Sequence, residues 1–382
     1  MTEVTDRMIY LDYSANTPVD ERVLDIFCET ERKLIGNANS KHIAGDASKN
    51  MQDEINKSIA DLFHIDEDEI IYTSGATESN NLAIRGIAHT MRHVGRHIIT
   101  TPLEHSSVSA PLTALQEAGY EVDMVKIGTD GKVDISNLRS LMRKDTVLVT
   151  VCAVDSELGT IQPVREIREI LKDYPNCLLH VDATQAVGKI DVDFSLADTV
   201  SLAAHKFYGI IGSGMLYKKK GLVIEPVIYG GASTTIYRSG TPTVSLNKSL
   251  EIALSLALKS QTERYDIVSG YNRYLRETFA KYPLVTVNSP DNTIPHILNI
   301  SVKGVKGSVF QKALNEKGVC VSVKSACSTD NLPSRAVFAV SKNRKNALSS
   351  WRISLSHMTT EEELHEFINI FDECYNELTK SS

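Results

Sequence analysis

What the 382-residue sequence lacks narrows the classes of protein to which it can belong. No apolar stretch is long enough to span a bilayer, and the opening "MTEVTDRMIYLDY" lacks the apolar core of a signal peptide. Acidic residues outnumber basic ones, 48 to 41, which gives a formal net charge of −7. This balance argues against nucleic acid or an anionic membrane as the main partner. We therefore expect a cytoplasmic protein.

Cysteines are few, and no two of them form a CxxC pair or the spacing of a metal site. The six are Cys28, Cys152, Cys177, Cys320, Cys327 and Cys374. In a reducing compartment the default for such cysteines is a free, mostly buried thiol. Cys327 differs because it lies in the Ser-rich, turn-like segment "VKSACSTDNLPS". This context makes it a candidate reactive thiol, although a plain loop cysteine fits the context equally well.

Short β-rich runs such as "HIITTP", "TVLVTVCAV", "CLLHVDA" and "SGMLYKK" alternate with helical stretches up to about residue 245. Such alternation predicts an α/β fold with a mainly parallel sheet and helices on both faces. Beyond this point we predict a long helical segment, residues 246–282, then further strands and a closing helix. Thr360 and Glu363 are placed to begin that last helix as a capping box. This part reads as a second, α+β domain.

Polar residues follow several of the predicted strands, at the edge where open α/β sheets bind ligands. In "YTSGATESNN" a Ser-Gly turn leads into a helix, where the backbone N–H groups of Ala76 and Thr77 suit a phosphate. The same residue types begin many helices merely as caps. His105 follows a strand in "LEHSSV", where a structural role is more common than a catalytic one. Each of these signals is weak alone.

An acid and a lysine each follow a predicted strand. Asp182 in "HVDATQAVGK" ends an apolar run, and Lys206 in "SLAAHKFYG" follows another run 24 residues later. A buried carboxylate needs a cationic or hydrogen-bonding partner. The pair fits pyridoxal 5′-phosphate (PLP), because a lysine can hold the aldehyde as a Schiff base while an aspartate keeps the pyridine nitrogen protonated.

Ordered motifs along nearly the whole chain resemble those of cysteine desulfurases, in the NifS/IscS-like branch of the class V aminotransferase family. They are "YLDYSANTPVD", "GNANSKH", "TSGATESNNLAIRG", "IITTPLEHSSV", "ELGTIQPV", "HVDATQAVGK", "HKFYG", "RSGT", "SACS" and "SSWRISLS". The resemblance implies the PLP fold type I, with a large domain containing a mainly parallel seven-stranded sheet and a smaller α+β domain. We expect residues 15–255 to form the large domain. Residues 1–14 and 256–382 would form the small domain, which carries the cysteine loop.

Matched residue by residue, the resemblance implies a binding site for PLP. Lys206 corresponds to the Schiff-base lysine and Asp182 to the partner of the pyridine nitrogen. Gln185 corresponds to the residue that makes a hydrogen bond with the phenolic oxygen of the ring. His105 corresponds to the imidazole that stacks on the ring and shuttles protons.

The phosphate and the substrate have matching residues of their own. Ala76, Thr77 and His205 correspond to phosphate contacts, and Thr241 of "RSGT" is expected to reach the site of the partner subunit in a homodimer. Arg352 corresponds to the guanidinium that binds the substrate α-carboxylate through two hydrogen bonds. The resemblance implies no metal.

The implied reaction converts L-cysteine to L-alanine. Cys327 corresponds to the nucleophile that takes the sulfur as a persulfide and passes it to an acceptor protein. The acceptor would be an iron–sulfur scaffold or a tRNA thiolation enzyme, with no direct contact to nucleic acid or membrane. Selectivity between cysteine and selenocysteine stays open at this point.

Several positions depart from the family pattern. Asp155-Ser156 stands where Asn-Asn is usual, Ala203 replaces a serine that contacts the phosphate, and Lys324 replaces a glycine of the cysteine loop. Two further departures are residues 210–211 and 232–237. We favour drift within a divergent desulfurase over a changed substrate or acceptor.

Asp155 is the departure nearest the expected chemistry. In the family position its carboxylate would share the Arg352 guanidinium with the substrate carboxylate, and a hydrogen bond from the usual amide would be missing. A hydrogen bond to a charged group contributes roughly 1.5–3 kcal/mol, so the expected loss is about ten- to a hundredfold in kcat/KM. Asp155 is therefore a candidate substrate-binding residue, unless its carboxyl is protonated or turned away.

Two other functions remain compatible with the sequence. The first is a different PLP-dependent lyase or aminotransferase on the same scaffold, with an altered substrate. The second is a non-catalytic scaffold for sulfur-transfer partners, although the presence of Lys206, Asp182, Gln185, Arg352 and Cys327 argues against it.

Overall fold

The computed structural model of the chain describes residues 8–231, 235–323 and 332–380. Cys327 and Lys324 lie outside the described residues. The strands are β1 (Ile9–Tyr10), β2 (Ile70–Thr73), β3 (His97–Thr100), β4 (Glu121–Met124), β5 (Thr146–Cys152), β6 (Leu178–Asp182), β7 (Thr199–Ala203), β8 (Gly214–Lys218), β9 (Val285–Val287), β10 (Ile297–Val302), β11 (Val319–Cys320) and β12 (Ser350–Ser354). The helices are α1 (Glu21–Lys33), α2 (Ile43–Phe63), α3 (Ala76–Met91), α4 (Ser106–Glu117), α5 (Ile135–Leu141), α6 (Val164–Leu171), α7 (Val244–Lys259), α8 (Gln261–Phe279), α9 (Gly307–Glu316), α10 (Arg335–Ser341), α11 (Arg344–Ser349) and α12 (Glu361–Lys380).

A seven-stranded sheet in the order β2-β8-β7-β6-β5-β3-β4 forms the centre of the chain. The pairs from β7 through β4 are parallel, whereas β8 runs antiparallel to both β7 and β2. Every residue of β5, β7 and β8 is buried, as expected for strands covered on both faces. The predicted α/β fold with a mainly parallel seven-stranded sheet is confirmed.

Neighbouring residues of these strands pack into different cores. Ile99 and Val149 belong to one hydrophobic cluster, and Ile98 and Leu148 belong to another. Successive side chains of a strand point to opposite faces of the sheet, so one cluster covers each face. This layering holds the carboxyl ends of β3, β5, β6 and β7 at one edge.

A separate core lies in the C-terminal part of the chain. Here β10 pairs antiparallel with β12 and β9, while β1 pairs parallel with β11. Ile9 and Leu11 pack in the same cluster as Trp351 and Phe371. The N-terminal strand therefore joins the C-terminal core, and the exact domain boundaries given above stay a prediction.

Two sequence expectations about helices have clear outcomes. The capping box is present: Thr360 Oγ1 accepts from the Glu363 amide (3.1 Å), and Glu363 Oε2 accepts from the Thr360 amide (2.8 Å). The long helical segment predicted over residues 246–282 is helical through most of its length, but it consists of two helices that meet at Ser260. Within the described residues, no helix combines the length and apolar composition needed to cross a bilayer.

Candidate active site

A cavity of about 300 Å³ lies at the carboxyl ends of the parallel strands. The end of β6 supplies Asp182, and the turn after β7 supplies Lys206. The predicted site residues that line this cavity are Ala76, Thr77, His105, Asp182, Gln185, His205, Lys206 and Arg352. Residues far apart in the sequence are thus brought to one place.

The N-terminus of α3 forms one wall of the cavity. The helix begins at Ala76 after Gly75, whose φ of 138° is open to glycine but unfavourable for other residues. No side chain caps the helix there, and Ser74 N donates instead to Glu78 Oε2 (2.7 Å). The amides of the first turn therefore point, without a side-chain cap, toward a space that suits an anion.

Asp182 is buried and held by two donors. Its Oδ2 accepts from Asn80 Nδ2 (2.8 Å), and its Oδ1 accepts from the Thr184 amide (3.0 Å). Asn80 Oδ1 lies 3.0 Å from Nε2 of His180, whose pKa burial lowers to about 4. His180 is therefore neutral at neutral pH, and Asp182 is oriented by an amide and a backbone N–H rather than by a cation.

The Lys206 side chain points toward main-chain carbonyl groups near the N-terminus. Its Nζ donates to the carbonyl oxygens of Ser14 (2.8 Å) and Ala15 (2.6 Å). Gln185 Nε2 donates to the same Ser14 oxygen (2.9 Å). His205 beside it is neutral at neutral pH, because burial, followed by the charge of Lys206, lowers its pKa to about 4.

His105 is fixed by the first turn of α4. Its Nδ1 accepts from the Ser107 amide (3.1 Å) and lies 2.9 Å from Ser107 Oγ. Burial lowers the pKa of His105, so the ring is neutral and an accepting Nδ1 places the proton on Nε2. The imidazole thus offers one N–H group that α4 does not use.

Arg352 is buried by β12 and has two partners. Its Nη1 donates to the Ser156 carbonyl (2.7 Å), and its Nη2 donates to Asp12 Oδ1 (2.8 Å). Among the described residues, its buried Nε has no hydrogen-bond partner. A guanidinium has five donors in a fixed fork, so donors remain for a carboxylate in the cavity.

Asp155 lies behind the cavity wall, where its neighbour Ser156 faces the cavity. The carboxyl is fully buried, and its Oδ2 accepts from the amides of Glu157 and Leu158. Burial, followed by the charge of Glu157, raises the pKa of Asp155 to about 7. Its role in substrate binding stays a prediction.

Three residues that organise the site were not predicted from the sequence. Asn80 occupies a buried position one turn into α3. A polar residue on the buried face of a predicted helix was the signal in the sequence that could have revealed it. Asp12 pairs with Arg352 and also accepts from Ser322 Oγ (2.8 Å). Glu104 accepts from Thr101 Oγ1 (2.7 Å) and the Cys152 amide (2.9 Å), and burial raises its pKa to about 8.

Besides Asp155, two predicted site residues remain: one does not line the cavity, and the other falls outside the described residues. Thr241 is exposed in the single chain and does not line the cavity. Cys327 belongs to residues 324–331, which are outside the described part of the chain. Within the described residues, no three His, Cys, Asp or Glu side chains converge to hold a metal ion.

Comparison with known proteins adds independent findings. The family model described as aminotransferase class-V matches residues 9–367. A NifS/IcsS protein homolog of Lactobacillus delbrueckii subsp. bulgaricus is 36% identical, over 98% of this chain and 98% of its own. The cysteine desulfurase IscS of Dictyoglomus turgidum is 36% identical, over 97% of this chain and 95% of its own. A solved NifS-like protein superposes with a TM-score of 0.89 at 32% identity, covering 96% of this chain and 98% of that one.

Proposed function

The chain belongs to the aminotransferase class V family, and from this membership and its site we propose that it is a PLP-dependent cysteine desulfurase. Its fold is the PLP fold type I. One observation carries the proposal: Asp182, Lys206, Arg352 and the uncapped start of α3 line one cavity. Relatives named cysteine desulfurase match nearly the full chain.

The donors and acceptors of the cavity fit PLP. Its wall contains a carboxylate that suits a pyridinium nitrogen, a primary amine that suits an aldehyde, and free helix amides that suit a phosphate. Ser14 and Thr184 also line the cavity, and among the described residues their buried hydroxyls have no hydrogen-bond partner. Such groups are costly unless a ligand or water satisfies them. The cavity therefore has polar groups that can bind this cofactor.

Each cofactor contact then has a candidate residue. We assign Asp182 to the pyridine nitrogen, Gln185 to the ring oxygen and Lys206 to the aldehyde. The phosphate would take the first-turn amides of Ala76 and Thr77. Bound PLP supplies an electron sink for the bonds at the substrate Cα. The assignment is supported by the anchoring of Asp182, whose two oxygens are already fixed by Asn80 and Thr184.

Substrate binding and proton transfer fall to three side chains. Arg352 would bind the α-carboxylate of L-cysteine with donors that Asp12 and Ser156 leave free. The Lys206 amine would move the proton at the substrate Cα, because it lies in the same cavity. His105, with its proton on Nε2, would stack on the ring and hold or deliver a proton. His205 would instead contact the phosphate.

Cys327 would take the sulfur. Its thiolate attacks the substrate sulfur, the Cβ–S bond breaks, and a persulfide remains on Cys327 while alanine leaves. The described residues flanking residues 324–331 support this placement. Ser322 Oγ donates to Asp12, the partner of Arg352, and Ser334 Oγ donates to Glu157 Oε2. One of these flanking residues is thus bonded to the partner of Arg352, and the other to a neighbour of Ser156, which lines the cavity.

We further propose a homodimer in the cytoplasm that delivers sulfur to an acceptor protein, either an iron–sulfur scaffold or a tRNA thiolation enzyme. Thr241 would complete the phosphate site of the partner subunit. Large apolar side chains are exposed in the preceding part of the chain, including Ile211, Tyr229 and Ile236, which is consistent with an interface. A monomer that stays fully active at high dilution, checked by light scattering, would contradict the dimer.

The function is tested by incubating the PLP-loaded protein with L-cysteine and a thiol reductant. We expect alanine and sulfide in equal amounts. Lys206→Ala should abolish both while keeping the circular dichroism spectrum, because the substitution removes the amine but little packing. A different PLP-dependent lyase would release sulfide without alanine, and a non-catalytic scaffold would release neither.

A further inference from the structure

Lys189 is a buried lysine beneath the cavity that the reaction above does not use. The residue is 8% exposed, and lysine is rarely buried without a carboxylate partner. The charges that act on it come from Lys206 and Arg352, which are both cationic. Burial, followed by these charges, lowers the pKa of Lys189 to about 7. Retaining an amine in such a place is costly, so the residue calls for a functional explanation.

The groups facing Lys189 do not compensate its charge. Titratable side chains around the small cavity beside it are Tyr13, Lys206, Tyr208, Arg264, His296 and His357. None of the described residues lining that cavity is an aspartate or a glutamate. Burial lowers the pKa of His296 well below its usual range and that of His357 to about 4. Both imidazoles are therefore neutral, and the partners of Lys189 are amide and carbonyl oxygens.

A chain of hydrogen bonds leads from Lys189 to Lys206. Lys189 Nζ donates to Gln185 Oε1 (3.2 Å), with the Lys206 carbonyl oxygen 3.5 Å away. Gln185 Nε2 donates to the Ser14 carbonyl (2.9 Å), which also accepts from Lys206 Nζ (2.8 Å). A protonated lysine has three donors and no acceptor. Because the Ser14 carbonyl accepts from the NH₂ group of Gln185, the carbonyl of that amide faces Lys189.

We propose that Lys189 is a positioning residue for the cofactor: by holding the Gln185 carbonyl, it presents the Gln185 NH₂ group as a donor to the ring oxygen of PLP. This inference rests on the proposed function, in which Gln185 meets that oxygen. Without Lys189 only the Ser14 carbonyl holds the amide, so the flipped orientation becomes more populated, and in it the Gln185 carbonyl would face an oxygen that also carries negative charge. The donor stabilises the ring oxygen in its anionic form, so its loss raises the proton affinity of the bound chromophore.

The test compares Lys189→Met with the wild type, both loaded with PLP, by titrating the visible absorption band with pH. Methionine keeps a similar length but has no donor. We expect the midpoint of the titration to rise by about one pH unit and the affinity for PLP to fall about tenfold. An unchanged midpoint and affinity would overturn the proposal. Lys189→Gln, which regains a donor but also offers an acceptor, should give an intermediate midpoint.

A double-mutant cycle tests whether Lys189 acts on the cofactor through Gln185. In a Gln185→Ala background, Lys189→Met should shift the midpoint no further, because the amide that Lys189 holds is gone. A full shift in that background would mean that Lys189 acts directly on the cofactor, and it would overturn a positioning role. Far-ultraviolet circular dichroism of all variants establishes that each is folded.

Thermal unfolding of the PLP-free protein separates positioning from a structural role. The folded state depresses the Lys189 pKa, so burying the amine costs most below pH 7 and less as pH rises toward its unfolded pKa. Lys189→Met should therefore raise the melting temperature at pH 6.5, and raise it less at pH 9. A lower melting temperature with an unmoved absorption midpoint would show a structural role only. A wild type that forms no visible band with PLP would refute the proposed function and this inference together.

Discussion

At the scale of single residues, burial decides which site groups carry charge. His180 and His205 are neutral at neutral pH, because burial lowers the pKa of each to about 4. Asp182 has neither of them as a charged partner, and it is fixed by Asn80 and the Thr184 amide instead. A carboxylate held by neutral donors keeps its charge available for a cationic ring nitrogen. The orientation of Asp182 is therefore set before any cofactor binds.

Asp155 gives a pH-dependent stability prediction. Its pKa is raised from 3.8 to about 7, so the folded state holds the proton more tightly and stability falls as pH rises through this interval. Asparagine can accept from the Glu157 and Leu158 amides but cannot ionise. We expect Asp155→Asn to raise the melting temperature by about 2–4 °C at pH 8, and to raise it less at pH 5. Equal differences at both pH values would contradict the buried, titrating carboxyl.

The same substitution tests the role of Asp155 toward substrate. An ionised Asp155 would compete with the substrate carboxylate for Arg352, whereas a protonated one would not. Asp155→Asn should therefore increase kcat/KM for L-cysteine about tenfold or more at pH 8.5, mainly through KM, with a smaller gain at pH 6. Steady-state kinetics at both pH values measure this. A decrease would indicate that Asp155 contributes positively to substrate selection.

The sequence pattern pointed to the candidate catalytic residues more readily than to the residues that orient them. Asp182 and Lys206 were identifiable because each follows a short apolar strand, and strand ends meet at one edge of a parallel sheet. Asn80 was not identifiable, because its bond to Asp182 joins positions 102 residues apart. Lys189 follows Gln185 by one helical turn in sequence, but its burial comes from C-terminal residues such as His296. Orientation depends on tertiary packing that local pattern does not contain.

At the scale of elements, β8 and the start of α3 fit closely together. A Cβ on Gly214 would lie 2.5 Å from the Cα of Gly75 and 2.8 Å from the Leu202 carbonyl oxygen. Both contacts are with main chain, which cannot move aside without shifting the helix or the sheet. The close approach therefore fixes the position of the phosphate-facing turn relative to β7, which leads to Lys206.

Gly214→Ala should consequently weaken PLP binding. Overpacking at a main-chain contact costs about 1–3 kcal/mol, and we expect about a tenfold or larger loss of PLP affinity together with a lower melting temperature. Gly270→Ala is the matched control, since it lies in α8 with nothing within 4 Å of the added Cβ. The control should stabilise the protein by up to about 1 kcal/mol. Equal PLP affinity in the two variants would argue against close β8–α3 packing as a requirement.

Element types were predictable along most of the chain, and boundaries were less so. The alternating apolar runs gave the α/β sheet, and the pair Thr360 and Glu363 gave the start of α12. The break at Ser260 between α7 and α8 was missed, because the sequence around it has no proline or glycine to mark an end. Packing rather than local signal separates these two helices, since α7 lies against α1 and α2.

At the scale of the whole molecule, the site needs both ends of the chain. Asp12, beside β1, reaches Arg352 of β12 across 340 positions of sequence. The N-terminal strand also pairs with β11, shortly before the segment that contains Cys327. The residues proposed to bind the cofactor and the substrate are thus contributed by parts of the fold with separate hydrophobic cores.

In the proposed reaction, sulfur passes from L-cysteine to Cys327. The most direct measurement is a single turnover of the PLP-loaded protein without reductant, followed by alkylation and peptide mass spectrometry. We expect one added sulfur atom on the Cys327 peptide and one alanine per site, with no added sulfur in Cys327→Ser. Added sulfur on another cysteine, or sulfide release by Cys327→Ser at the wild-type rate once a thiol reductant is supplied, would contradict this role of Cys327.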